Sequence, residues 1–80
     1  MKKEAIKNEN FLKFRKEFGK HIQFLRKEKN ISQEELAARA GIDRVAIGYI
    51  EQGIRSPKLE TIFNISNALN IEVKELFGLE

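Results

Sequence analysis

Arg44, Val45, Ala46, Gly48 and Tyr49 crowd into one short stretch, "SQEELAARAGIDRVAIGYIEQG", Ser32 to Gly53. They offer a guanidinium with paired donors, small apolar surfaces, a bare backbone position and a phenol. That is equipment for recognising a surface, not for making or breaking bonds. The rest of the chain supplies no catalytic constellation either. There is no cysteine, so neither a disulfide framework nor a thiolate metal site can form, and the single histidine, His21, cannot hold zinc alone. The close acidic pairs Glu34/Glu35 and Glu72/Glu75 sit where helix starts favour negative charge. Without a nucleophile and base, a glycine-rich phosphate loop or a metal cluster, the sequence predicts no enzyme, no cofactor and no metal.

Charge narrows the class of partner. The net charge is only +3, yet ten of the fifteen Lys and Arg fall in residues 1–30, against four of the twelve Asp and Glu. A gradient of this kind suits an anionic partner such as nucleic acid, and suits a solvated lysine-rich helix face equally well. No apolar run approaches the roughly 20 residues needed to cross a bilayer, and "MKKE" lacks the apolar core of a signal peptide. The expectation is a soluble cytoplasmic protein. Eighty residues make one domain of marginal stability, which dimerisation would help.

These residues need elements to position them. "MKKEAIKNE" has no apolar period and reads as a frayed arm or an early helical turn; residues 1–10 are taken as a polar, basic arm, leaving 11–80 as the domain. Beyond Asn10, taken as an N-cap, Phe11, Phe14 or Arg15, Phe18, Ile22 and Leu25 recur at helical spacing and predict a helix to about Lys29, with Asn30 as its stop. Ser32 and Glu35 have the spacing of a capping box, opening a second helix that ends at Gly41. Asp43 is placed to cap a third, from about Arg44 to Gln52. Ser56-Pro57 opens a fourth, with proline at its first position and Leu59, Ile62, Phe63, Ser66 and Leu69 as its apolar face. Ile71 to Phe77 gives a short fifth. The fold class is all-α, a compact bundle of five helices.

Two short helices joined by a glycine-containing turn make a helix-turn-helix unit, here residues 33–52. Ala37 is small where the two helices cross, Gly41 sits in the turn, and Ile47 and Ile50 face inward. At this point the chain resembles the small helix-turn-helix domains of the phage lambda repressor and Cro type (the XRE family), which include the controller proteins of restriction-modification systems. The resemblance is carried by "FLRKEKNISQEELAARAGI", "IGYIEQGIRSPKLETI" and "ALNIEVKELF" and covers Phe18 to about Phe77.

It implies a lambda-repressor-like fold and a set of roles. Arg44, Val45 and Tyr49, with Ala46 and Gly48 beside them, match positions that meet base edges in the major groove. Gln33 matches a glutamine that touches the DNA backbone and braces the recognition helix. Gln52, Arg55, Ser56 and Lys58 offer further backbone contacts, and Arg26 and Glu51 match a structural ion pair. Most members act as homodimers on paired half-sites, so a palindromic operator is expected here, and the C-terminal apolar residues Ile71, Val73, Leu76, Phe77 and Leu79 are the expected dimer surface. RNA polymerase is a further expected partner, with Glu34 and Glu35 candidates by position. A second function keeps the fold but takes a protein as main partner, as in a helix-turn-helix antitoxin or a polymerase-binding adaptor, using Phe24 and the basic arm.

Overall fold

The computed structural model describes residues 2–78, with side chains from Glu9 onward. It contains α1 (Lys2–Glu28), α2 (Gln33–Ala40), α3 (Arg44–Glu51), α4 (Leu59–Ala68) and α5 (Val73–Leu76), and no strand among the described residues. α2 packs on α3 and α4, while α1 closes the bundle against α3 and α5. Phe18, Ile22, Leu36, Ile47, Ile50, Ile65, Leu69 and Leu76 form the centre of the core. No described helix is long and apolar enough to cross a membrane.

Local chemistry sets the ends of the helices. The Ser32 hydroxyl accepts from the Glu35 amide at 3.0 Å. The Glu35 carboxylate does not complete the box; it pairs with Arg39 one turn on, at 2.6 Å, where opposite charges four residues apart are neighbours. Asn30 ends α1 in the left-handed region, at φ 57°, and Gly41 ends α2 at φ 71°. Asp43 is the N-cap residue of α3, but its side chain makes no cap hydrogen bond. The N-cap of α4 is Lys58, whose carbonyl accepts the first helical bond from Ile62 at 3.0 Å. Pro57 therefore precedes the helix instead of opening it, and Ser56 stays in the loop.

Three expectations about elements need correction. Residues 2–10 are not a separate arm: α1 starts at Lys2 and runs 27 residues, so Asn10 lies inside it and caps nothing. Phe11 and Phe14 are half exposed on α1, and on α4 Leu59 (81%) and Phe63 (54%) stand outside the core. α4 rests on α2 and α5 through Ile62, Ile65, Ser66 and Leu69, which leaves Leu59 and Phe63, one turn apart, on the uncovered edge. Finally, Leu76 is fully buried and belongs to the core, so it cannot line a dimer surface.

Candidate nucleic-acid interface

α3 divides into an inward and an outward face. Ile47 (0%) and Ile50 (2%) are sealed against α1 and α2, while Arg44, Val45 (49%) and Tyr49 (40%) stand exposed on the other side. The helix starts one residue after an exposed turn, so its first residues are the ones that can approach a groove. Ala46 is half buried and lines, with Ile42, Arg55 and Lys58, an open groove of about 570 Å³ between the α2–α3 turn and the start of α4. Gly48 is buried and so is not an exposed reader. The nearest atom to a Cβ built on it is Gln33 Oε1 at 3.9 Å, so the Gln33 side chain, not a close-packed backbone, is what lies over it.

Gln33 also connects exposed Arg44 to the interior. Its Oε1 accepts from Arg44 Nη1 at 2.9 Å, and its Nε2 donates to Glu51 Oε1 at 2.9 Å. Glu51 in turn is gripped by Arg26, Nε to Oε2 at 2.6 Å and Nη2 to Oε1 at 3.1 Å, with Gln23 Nε2 reaching Oε1 at 3.4 Å. The third guanidinium nitrogen of Arg26, Nη1, donates to the Ile31 carbonyl at 2.8 Å, tying in the α1–α2 turn. Arg26 is 7% exposed and Glu51 4%, and no buried side-chain polar atom lacks a partner among the described residues. A buried ion pair of this kind holds only because both forks are satisfied.

α1 approaches α3 closely because of a residue that apolar spacing does not flag. Gly19 is buried, and a Cβ on it would collide with the carbonyl oxygens of Ile50 and Glu51, the latter at 2.7 Å. Gly19, Gln23 and Arg26 follow one another at four and three residues on one face of α1. That spacing, small then polar then charged, was the available sequence signal for the side of α1 that meets the end of α3.

Beyond α3, Gln52, Arg55, Ser56 and Lys58 are all exposed. The Arg55 guanidinium lies over the Tyr49 ring at 5.3 Å, and the Ile54 and Arg55 amides both donate to the Tyr49 carbonyl, at 2.9 and 3.3 Å. The loop is thus folded back on α3, with two cations and a hydroxyl exposed along it. Of the C-terminal residues, Ile71 and Val73 are half buried and Phe77 is exposed; Leu79 lies outside the described residues. Phe24 is exposed beside His21, the rings 6.2 Å apart, and His21 Nε2 donates to the Glu75 carbonyl at 2.9 Å.

Residues 22–76 match the helix-turn-helix family model. The chain belongs to the helix-turn-helix family. It is similar to an uncharacterised helix-turn-helix transcriptional regulator, y4dJ, of Sinorhizobium fredii, 36% identical over 62 residues that cover 78% of this chain and 80% of that one. The control protein C.MunI of a Mycoplasma species is 42% identical over 62 residues, covering 76% of this chain and 84% of its own. Among solved structures, the restriction-modification controller protein C.AhdI of Aeromonas hydrophila superposes with a TM-score of 0.76 at 41% identity, covering 80% of this chain and 96% of that one. As a member of the helix-turn-helix family, the chain is a DNA-binding regulator of transcription. The matched region begins at Ile22, so the first 21 residues, including most of α1, lie outside the family model.

Proposed function

We propose that the chain acts in the cytoplasm as a homodimer on a palindromic operator, reading base edges in two successive major grooves. Arg44 reads a guanine through its paired donors, Val45 and Ala46 meet thymine methyl groups, and Tyr49 contacts the groove wall or a base edge. Gln33, Gln52, Arg55, Ser56 and Lys58 hold the phosphate backbone, which fixes register without specifying sequence. The observation that carries the reading is the hydrogen bond from Arg44 to Gln33, because it holds an exposed cation at the start of a helix whose other face is locked in the core. The role is one of binding, not catalysis, and activation would involve RNA polymerase at Glu34 and Glu35.

Dimerisation uses some of the apolar residues that the fold leaves uncovered on α4 and after α5, Leu59, Phe63 and Phe77, with Ile71 and Val73 at the margin. To enter successive major grooves, the two symmetry-related recognition helices of this dimer must lie about 34 Å apart, one turn of B-DNA. Selection of bound sequences from a random duplex pool tests the reading: a palindromic consensus with half-sites one helical turn apart supports it, and no enrichment opposes it. The exposed Phe24 ring favours a second reading, in which a protein partner docks on α1. Arg44→Ala separates the two, since it removes operator binding under the first and leaves partner capture intact under the second.

A further inference from the structure

The loop after the recognition helix is held from outside the helix-turn-helix unit. Arg15 and Lys16 lie on α1, upstream of the residues that match the family. Arg15 Nε donates to the Gly53 carbonyl at 2.8 Å, and Nη1 to the Ser56 hydroxyl at 3.1 Å. Gly53 is left-handed at φ 76°, and a Cβ on it would come within 2.6 Å of the Lys16 Cα, so the α1 backbone runs directly against this turn. Arg15 is itself half buried, with its guanidinium 5.7 Å from the Phe11 ring centroid.

We propose that Arg15 is a positioning residue for the phosphate-facing loop Gly53–Lys58, and that the Arg15–Lys16 edge of α1 extends the DNA-backbone surface beyond the helix-turn-helix unit. The inference rests on the DNA-binding reading above. A planar guanidinium can grip two acceptors three residues apart in the loop, which a single ammonium cannot do at once. Held in this way, the loop loses less freedom when it binds. The Ser56 hydroxyl accepts from Arg15, which leaves its own O–H free to donate to a phosphate. Exposed Lys16, whose backbone lies against Gly53, adds a cation at the edge of the loop that carries Arg55 and Lys58, and added positive charge there attracts an anionic backbone.

The test uses the full chain, free and with duplex DNA. Arg15→Lys keeps the charge and loses the two-point grip. In the free protein it should speed exchange of the Ile54 and Arg55 amides about tenfold or more while the amides of α2 and α3 keep their rates. It should also weaken duplex binding about tenfold, on operator and unrelated sequences alike, because backbone contacts carry no sequence information. Lys16→Gln should leave exchange unchanged and reduce the slope of log affinity against log salt by about one. Should Arg15→Lys unfold globally, Ser56→Ala removes one anchor alone, and the same local acceleration is expected. Wild-type loop exchange in both Arg15→Lys and Ser56→Ala, or wild-type affinity in Arg15→Lys, overturns the positioning role. An unchanged salt slope in Lys16→Gln overturns the extended surface. If the wild type itself shows no salt-dependent duplex binding, both this inference and the reading beneath it fail, whereas wild-type binding with indifferent variants overturns this one only.

Discussion

Gln33 holds Arg44 at the surface and Glu51 in the interior with the two ends of one amide, each at 2.9 Å. Exposed Arg44 is therefore connected through two hydrogen bonds to the Arg26–Glu51 pair. Gln33→Ala cuts that connection without opening the core, since Gln33 is only half buried. We expect stability to fall by less than about 1.5 kcal/mol, and operator affinity to fall about tenfold. Fluorescence anisotropy with the selected operator measures the affinity; wild-type affinity would show that Arg44 needs no such brace.

The Arg26–Glu51 pair carries stability. Arg26→Ala leaves the Glu51 carboxylate buried and short of its main partner, and should lower unfolding free energy by about 3–5 kcal/mol. For so small a domain that approaches the whole stability. The denaturant midpoint is the readout, and a midpoint unchanged from wild type would contradict the pairing.

Two helix-interior glycines should respond oppositely to the same substitution. A Cβ at Gly48 meets nothing closer than 3.9 Å, so Gly48→Ala should stabilise by about 0.5–1 kcal/mol through helix propensity. At Gly19 the same methyl strikes backbone carbonyls that cannot step aside, and Gly19→Ala should destabilise by about 1–3 kcal/mol. Thermal melts of the two variants side by side check the sign of each.

Phe63 stands 54% exposed one turn from Leu59, itself 81% exposed. Phe63→Asp should leave the melting temperature of the protomer within a few degrees and shift sedimentation at tens of micromolar from dimer to monomer. A wild-type sedimentation profile for the variant would move the dimer surface elsewhere.

What the sequence disclosed follows the range of the interactions involved. The helix-turn-helix unit was legible because Ser32, Ala37, Gly41, Ile47 and Ile50 act on neighbours within one short segment. The early turns of α1 stayed undecided between an arm and a helical turn, because residues 2–10 are mostly polar and offer no apolar period to read. Leu59 and Phe63 have helical spacing, but only the position of α2 and α5 decides which edge of that face is covered. Gly48 looked exposed from its register on α3; its cover is Gln33, fifteen residues upstream on another helix. Arg15 was visible as a member of the α1 face, yet its partners lie 38 and 41 residues away, beyond any local pattern.

The functional reading turns on Arg44, proposed to read a base at the start of α3. Binding-site selection from one random duplex pool, run in parallel with wild type and Arg44→Ala, tests it directly. A palindromic wild-type consensus is expected, with a guanine in each half-site that loses its preference in the variant, at about 1–3 kcal/mol of discrimination. An identical consensus from both proteins would contradict it.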